Sequence, residues 1–360
     1  MNKNTDDLRI KNIIDVISPA ELERKYSITQ IASHTVYNAR EEAHQIIHGN
    51  DNRLLVIVGP CSIHDTETAL EYAEKLLVLR EELKDYLHII MRVYFEKPRT
   101  SIGWKGLIND PDLLGHFDIS KGLGVARKLL LDLADKGMPA ATEYLDLITP
   151  QYIADLVSWA AIGARTTESQ GHRELASGVS CPIGFKNGTN GNVDVAINAI
   201  QAASQPHHFL SVTKNGRSAI FETKGNKDCH IILRGGNARA NYDAVSVEAA
   251  ITDLNQKELT PHLMVDFSHA NSRGDYNNQL NVGKNIAAQI ASGSDNICGV
   301  MIESHLIAGR QDGEGKSKDQ LVRGQSITDA CIDWEMTVAV LNDLAQAVEA
   351  RRNKNRNNKS

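Results

Sequence analysis

The chain has 360 residues, of which 41% are hydrophobic and 23% charged, and its formal net charge is −6. This composition is typical of a water-soluble globular protein and gives no electrostatic reason to expect nucleic acid or an anionic membrane as a partner. No apolar run approaches the roughly 18 residues that a membrane span needs, and the first ten residues lack the apolar core of a secretory signal. Five scattered cysteines do not suggest a disulfide framework, so we expect a cytoplasmic protein.

Eight apolar runs follow a first segment of about 45 residues, for which we expect helices packed outside the main fold. The runs are residues 54–59, 88–95, 139–145, 160–165, 181–187, 229–235, 263–269 and 296–304. Helix-like segments separate them, which indicates a parallel sheet covered on both faces. Eight such strands in about 250 residues predict an α/β fold, a closed (β/α)8 TIM barrel. An open doubly wound sheet is the alternative, but no Gly-x-Gly-x-x-Gly pattern follows the first strand.

Two further apolar runs, residues 208–213 and 219–225, flank the sequence KNGR. Its Asn-Gly pair is a strong hairpin signal, so we expect an antiparallel β-hairpin inserted between the fifth and sixth barrel strands. We therefore divide the chain into an N-terminal extension (1–45), a barrel (46–345) that includes the hairpin at 207–225, and a polar tail (346–360). Its last eleven residues, 350–360, are basic and polar with nothing to bury, which favours a frayed, solvated terminus over a nucleic-acid arm.

The carboxyl ends of the predicted barrel strands carry reactive or charged side chains. In strand order they are Cys61, the segment from Arg92 to Lys97, Glu143, Arg165, Lys186, Arg234, His269 and Glu303. In a TIM barrel these ends surround one open face, where active sites lie. A single charge there would most often be solvated, but so many on one face predict a bound ligand that balances them.

These side chains suit two kinds of ligand. The cations that suit a small, highly charged anion are Arg92, Arg165, Lys186 and Arg234. The groups that suit a divalent metal ion are Cys61, His269 and Glu303, and Asp329 after the last strand could be a fourth ligand. This mixture of sulfur, nitrogen and oxygen fits Mn²⁺, Fe²⁺, Co²⁺ or Zn²⁺ better than Mg²⁺. A metal beside an anion site suggests a reaction that joins or splits a phosphorylated sugar and a small phosphorylated acid.

Seven long motifs then carry a resemblance that covers nearly the whole chain. They are GPCSIHD, MRVYFEKPRTSIGWKGLINDPDL, SWAAIGARTTESQGHRELASG, CPIGFKNGT, HIILRGG, VDFSHANS and GQSITDACIDWE. Together they resemble class I 3-deoxy-D-arabino-heptulosonate-7-phosphate (DAHP) synthases. The resemblance implies a barrel enzyme that condenses phosphoenolpyruvate with D-erythrose 4-phosphate and water, and releases phosphate. This reaction opens the shikimate pathway to chorismate and the aromatic amino acids.

The resemblance also implies a role for each site residue. The metal ligands would be Cys61, His269, Glu303 and Asp329. Phosphoenolpyruvate would be bound by Arg92, Lys105, Ala164, Arg165, Lys186 and Arg234. Erythrose 4-phosphate would be bound by Lys97, Pro98, Arg99, Thr100 and Asp329. The catalytic residues would be Lys97, Glu143 and Lys186: Lys97 is placed to protonate the developing alkoxide, and Glu143 to orient the attacking water. The remaining cysteines, at 181, 229, 298 and 331, are expected to be structural.

In regulated members of this family, the hairpin and the N-terminal extension form a feedback site for an aromatic amino acid, partly at a subunit boundary. The corresponding lining here would be Pro150, Gln151, Leu175, Ser180, Phe209, Ser211 and Phe221, with Asp6 and Asp7 approaching from a neighbouring subunit. Ser211 resembles the phenylalanine-sensitive type, whereas Phe221 is bulkier than the expected aliphatic residue. We therefore expect phenylalanine as the effector, tyrosine as the alternative, and a homo-oligomer, either a dimer or a tetramer.

Two other functions are alternatives to the synthase hypothesis. One is a related barrel synthase that uses another sugar phosphate, and the other is a ligand sensor that has kept the fold and lost catalysis. The presence of all four metal ligands and all four anion-binding cations weighs against a sensor.

Overall fold

The computed structural model describes residues 3–99, 103–313 and 315–357. Its strands are β1 (Leu54–Gly59), β2 (Leu87–Arg92), β3 (Ala140–Glu143), β4 (Trp159–Ile162), β5 (Ile183–Lys186), β6 (His208–Val212), β7 (Ser218–Glu222), β8 (Cys229–Leu233), β9 (Leu263–Asp266), β10 (Ile297–Glu303), β11 (Ile307–Arg310) and β12 (Gln325–Ser326). Its α-helices are α1 (Pro19–Lys25), α2 (Gln30–Ile47), α3 (Thr66–Glu82), α4 (Ile119–Asp135), α5 (Pro150–Ile153), α6 (Gln170–Gly178), α7 (Asp194–Ala203), α8 (Ala244–Gln256), α9 (Asn278–Ala291) and α10 (Trp334–Asn357).

Eight of these strands close into a parallel barrel in the order β1-β2-β3-β4-β5-β8-β9-β10. Each of the eight runs predicted from the sequence contributes one strand, so the TIM-barrel prediction is confirmed and the open-sheet alternative is wrong. The strands are buried along their whole length, because helices cover the outside and side chains fill the inside. In β1 the two sides separate cleanly: Leu55 and Ile57 belong to the inner cluster, and Val56 belongs to the outer one.

The N-terminal extension closes one end of this barrel. Ala43 and Ile46 of α2 belong to the same buried cluster as the inward side chains of the strands. On the outside, α1 and α2 lie near α5 and α4, and Arg127 of α4 links these elements through hydrogen bonds to the carbonyls of Tyr26 and Tyr152. The extension is helical from Pro19 onward, as expected, but α2 does not lie wholly outside the barrel as predicted, because its side chains join the interior cluster; it ends two residues beyond the predicted boundary.

The predicted hairpin is also present. Strands β6 and β7 pair antiparallel, and the turn between them contains Gly216 at a φ of 76°, a conformation that glycine adopts without strain. Leu210 and Ile220 face each other on the exposed side of the hairpin, and Phe209 and Phe221 face each other on the opposite side. The hairpin therefore presents one aromatic pair toward the body of the protein.

The prediction of a frayed C-terminal end is wrong for residues 350–357, because α10 continues to Asn357. Ala347, Val348 and Arg351 are buried. The Arg351 guanidinium donates hydrogen bonds to the carbonyls of Asn52 and Ser294, which lie far from it in sequence. Basic composition suggested a solvated end, but these distant carbonyls give the arginine a buried partner. Among the described helices, none is both long and apolar enough to cross a membrane.

Candidate active site

The carboxyl ends of the barrel strands surround a cavity of about 150 Å³. Ten residues predicted from the sequence line it: Lys97, Pro98, Arg99, Glu143, Ala164, Arg165, Lys186, Arg234, His269 and Asp329. Gly163, Thr166 and Thr189 complete the lining and were not predicted. Gly163 has a steric reason, since a Cβ atom there would meet Glu143 Oε1 at 2.6 Å. Residues from most of the barrel strands thus converge on one small polar space.

Four possible metal ligands meet at the base of this space. One ligand atom each from Cys61, Glu303 and Asp329 lies within 4.8 Å of the other two. His269 Nε2 lies 3.8 Å from Glu303 Oε1. His269 adopts a φ of 58°, which is uncommon for a residue other than glycine and is typical of functional sites. A thiol, an imidazole and two carboxylates form a donor set that fits a divalent transition metal.

The Cys61 side chain is completely buried, and charged side chains surround it. Burial, with the nearby Glu303 carboxylate, raises the pKa of the thiol to about 11. The Sγ atom accepts a hydrogen bond from Lys97 Nζ at 3.2 Å and lies 3.6 Å from Asp329 Oδ2. A cation bound at this position would favour the thiolate, which the neighbouring carboxylate disfavours. The donor atoms therefore suit a bound metal ion.

Arg92 lies beneath the cavity and is not among the residues that line it. Its fully buried guanidinium donates to Glu303 Oε1 at 2.9 Å and to the Cys61 carbonyl at 3.2 Å, and it stacks 3.5 Å from the Tyr94 ring. Gly59 allows the end of β1 to lie close to the Arg92 backbone, because a Cβ atom there would lie 2.7 Å from the Arg92 carbonyl oxygen. In this structure Arg92 holds two of the candidate metal ligands in place.

Asp266 is a central residue that the sequence analysis missed. Its carboxylate is fully buried at the end of β9, where Oδ2 accepts from Lys186 Nζ at 3.0 Å and from His269 Nδ1 at 2.8 Å. Burial opposes the charged form, but His269 and Lys186 hold the pKa of Asp266 well below its usual range. With its proton held on Nδ1, His269 presents the Nε2 lone pair toward Glu303. The available signal was an acidic residue inside a buried strand, three positions before the histidine.

The cavity also contains unpaired polar atoms that suit a ligand. Glu143 Oε1 and Arg234 Nε are buried without a hydrogen-bond partner among the described residues. Burial lowers the pKa of the Arg234 guanidinium. Leaving such groups unpaired costs free energy, which an anion and a water molecule would recover. Arg165 is exposed at the mouth of the cavity, and Lys186 is buried in its wall.

The segment predicted to bind erythrose 4-phosphate lies at the rim. The Arg99 side chain is exposed and donates from Nε to the Trp104 carbonyl at 2.8 Å. The exposed Lys105 lies outside the cavity lining, and its carbonyl accepts from the Lys97 N–H at 2.9 Å. Thr100, which we also predicted, falls outside the described residues.

A second cavity, of about 740 Å³, lies between the hairpin, α2 and the segment from α5 to α6. All seven residues predicted for the effector site line it: Pro150, Gln151, Leu175, Ser180, Phe209, Ser211 and Phe221. The rings of Phe209 and Phe221 lie 6.0 Å apart, centroid to centroid. Arg40 and Lys214 also line this cavity and were not predicted. Asp6 and Asp7 are exposed in the extension and are not among the lining residues, and their role across a subunit boundary stays a prediction.

A comparison with known families matches residues 20–342 to the model of the DAHP synthetase I family. The chain belongs to the DAHP synthetase I family. It is 59% identical to the Phe-sensitive phospho-2-dehydro-3-deoxyheptonate aldolase of Escherichia coli K12, over 98% of this chain and 100% of that one. It is 58% identical to a phospho-2-dehydro-3-deoxyheptonate aldolase of Haemophilus influenzae, over 96% of this chain and 95% of that one. A solved structure from Francisella tularensis superposes with a TM-score of 0.93 at 52% identity, and the match covers 95% of this chain and 99% of that one.

Membership of this family confirms the predicted activity. This DAHP synthase is a transferase that condenses phosphoenolpyruvate with erythrose 4-phosphate and water to give DAHP and phosphate, in the biosynthesis of aromatic compounds. Enzymes of the family are generally metal-dependent, and the cluster around Cys61 contains groups that could hold a metal ion.

Proposed function

We propose that this DAHP synthase binds one divalent ion, Mn²⁺, Fe²⁺, Co²⁺ or Zn²⁺, through Cys61, His269, Glu303 and Asp329. The observation that carries the proposal is the convergence of four unlike donor groups beneath a cavity lined with cations. When bound there, the ion would supply Lewis acidity toward the aldehyde oxygen of erythrose 4-phosphate.

The protein's own side chains would hold the substrates and move the protons. Arg165, Lys186 and Arg234 line the cavity as cations for phosphoenolpyruvate, with the Ala164 N–H and Lys105 as further contacts and Arg92 acting from below. Pro98, Arg99 and Thr100 would bind erythrose 4-phosphate at the rim. Glu143, with its unpaired buried oxygen, would orient the water that adds to phosphoenolpyruvate.

Lys97 would be the proton donor to the alkoxide that forms from the aldehyde. Its ammonium group is buried beside the ligand cluster, 3.2 Å from Cys61 Sγ, and it lines the cavity. Burial by itself lowers the pKa of Lys97, but Cys61, Glu303 and Asp329 raise it above its ordinary value. The side chain therefore stays charged and carries a proton at the reaction centre.

We further propose that phenylalanine inhibits the enzyme by binding in the second cavity, with tyrosine as the alternative effector. The support is the agreement between the predicted and observed lining, the facing rings of Phe209 and Phe221, and the Phe-sensitive relative at 59% identity. Asp6 and Asp7 of a neighbouring subunit would complete this site in a cytoplasmic homodimer or homotetramer. The extension (1–45) and the hairpin (207–225) would then be regulatory additions to the catalytic barrel (46–345).

One experiment tests both proposals. The protein is mixed with phosphoenolpyruvate and erythrose 4-phosphate while the loss of enolpyruvate absorbance is followed, first with a chelator and then with each metal added back. Activity that a chelator abolishes and a divalent transition metal restores supports the metal proposal, and full activity in the presence of chelator contradicts it. Phenylalanine, tyrosine and tryptophan are then added singly. Inhibition by tyrosine alone would overturn the phenylalanine assignment and leave the active-site assignment standing.

A further inference from the structure

A cluster of two histidines and one aspartate lies at the end of the barrel opposite the active site. His44 and His48 stand one turn apart at the carboxyl end of α2, and Asp228 immediately precedes β8. His44 Nδ1 and His48 Nε2 approach the same oxygen, Asp228 Oδ1, at 2.7 and 2.9 Å. The two imidazole rings lie 4.5 Å apart, centroid to centroid. The catalytic proposal uses none of these residues.

We infer that this cluster is a second binding site for a divalent transition metal, with Zn²⁺ as the best fit. The three donor atoms all lie within 4.8 Å of one another, as the ligands of a single ion would. Two imidazoles and one carboxylate, without a thiolate, favour zinc, nickel or copper over magnesium or calcium. A site with three protein ligands leaves a fourth position for water.

The surroundings leave room for an ion and hold the carboxylate in place. Tetrahedral zinc at about 2.0 Å from each ligand needs the donor atoms about 3.3 Å apart, so the present hydrogen bonds must lengthen by only about 0.5 Å. The three side chains are 25–39% exposed, which allows such a rotation. An open cleft of about 560 Å³ begins at His48 and gives water access. The Asp228 N–H donates to Asn226 Oδ1, and Asn226 Nδ2 donates to the carbonyls of Ala176 and Cys181.

An ion here would join two segments that are distant in sequence. One is α2 of the N-terminal extension, and the other is the chain that returns from the hairpin to the barrel. Without an ion, the same residues form a hydrogen-bonded tie between these segments. A metal site and a purely hydrogen-bonded link differ in one measurable respect. Only a metal site predicts zinc binding that depends on the histidines.

The test counts zinc ions per chain after equilibration at low free zinc and gel filtration, by elemental analysis and calorimetry. The variants are Cys61→Ser, which removes a ligand of the proposed catalytic ion, and His48→Gln, which removes a ligand of the new site. His34→Gln is the matched control, because His34 lies exposed on the same helix and outside the cluster. We expect about two zinc ions in the wild type and in His34→Gln, and about one in each of the other two variants. Zinc affinity at the new site should fall at least about ten-fold in His48→Gln.

The possible outcomes separate this inference from the proposed catalytic metal. One ion in the wild type that disappears in Cys61→Ser and persists in His48→Gln overturns the second site and leaves the catalytic one. One ion that persists in Cys61→Ser and disappears in His48→Gln supports the second site and overturns the catalytic one. Equal losses in His34→Gln and His48→Gln indicate unspecific surface binding and overturn the inference.

A second variant covers the case in which His48→Gln does not fold. Asp228→Asn keeps an oxygen that accepts both histidine hydrogen bonds and removes only the charge, so it preserves the tie and weakens the metal site. Co²⁺ provides a spectroscopic readout in the same proteins, because a Cys61 thiolate ligand gives a charge-transfer band and the histidine site gives none. Zinc or cobalt binding that Asp228→Asn leaves unchanged would overturn the inference.

Discussion

Replacement of Asp266 by asparagine tests how the active site holds its ligands. The carboxylate is completely buried and is shared by Lys186 and His269 through the same oxygen, at 3.0 and 2.8 Å. Its other oxygen accepts from the Ser268 N–H and hydroxyl at 3.0 and 2.6 Å. Asparagine has nearly the same volume, so the change removes one negative charge and leaves no cavity. Lys186 then lacks its counter-ion, and His269 keeps at most a neutral amide oxygen in place of the carboxylate that fixes its proton on Nδ1.

Two contributions set the size of the expected effect. Removing one partner of a buried ion pair costs about 3–5 kcal/mol, because the other charge stays buried without compensation. Losing the carboxylate behind a metal-binding histidine weakens metal affinity by about 10–100-fold, which corresponds to about 1.4–2.7 kcal/mol. We therefore expect Asp266→Asn to lower the free energy of unfolding of the metal-free protein by about 3 kcal/mol. We also expect a loss in metal affinity of at least about ten-fold.

The measurements are urea denaturation of the metal-free protein and competition for metal with a chromophoric chelator. The matched control is Ser268→Ala, which removes a charge-assisted hydrogen bond to the same carboxylate, keeps the charge that Lys186 and His269 share, and should cost about 1.5–3 kcal/mol. Steady-state kinetics at saturating metal then separate kcat from KM for phosphoenolpyruvate, since loss of orientation should act mainly on kcat. Metal affinity within about two-fold of the wild type would refute the view that Asp266 positions His269.

Three further predictions concern other parts of the protein. Burial raises the pKa of Glu96 to about 8 from an ordinary value of 4.5, so the native state binds the extra proton and stability falls as pH rises between those values. Glu96→Gln should flatten this decline by up to about 1.4 kcal/mol per pH unit, measured by urea denaturation from pH 5 to pH 8, and parallel profiles would contradict it. Arg127 is buried and donates to both carboxylate oxygens of Asp155 at 2.7 and 2.8 Å. Replacing it by leucine should lower the free energy of unfolding by about 3 kcal/mol, and the double variant with Asp155→Leu should recover part of that loss. Phe221→Ile removes one ring from the second cavity and should weaken inhibition by phenylalanine about 2–10-fold at constant kcat, whereas an unchanged inhibition curve would place the effector elsewhere.

Much of the architecture could be predicted from the sequence because its signals are local. Each barrel strand is a short apolar run between amphipathic segments, and the hairpin turn contains an Asn-Gly pair. Closure of eight parallel strands brings their carboxyl ends to one face, so the sequence alone predicts that Cys61, Glu143, Lys186 and His269 meet there. The observed cavity and ligand cluster agree with this expectation.

Other features depend on partners that lie far away in sequence. Arg92 has the charge of an anion-binding residue, but the barrel places it under Glu303, 211 residues later, and not in the cavity wall. Asp266 forms a buried ion pair only because β5 brings Lys186 against it. The basic C-terminal segment is helical and partly buried because Arg351 meets the carbonyls of Asn52 and Ser294.

The difference between the features that the sequence predicts and those that depend on distant partners has a simple physical cause. Periodicity, turn chemistry and strand polarity are properties of neighbouring residues, and they determined the barrel, the hairpin and the face that carries the chemistry. The partner of a buried charge is chosen by packing between distant segments, because a charge removed from water must find whichever opposite charge or carbonyl the fold brings to it. Tertiary structure alone therefore decided that Asp266 orients His269, that Arg92 supports Glu303, and that His44 and His48 share Asp228.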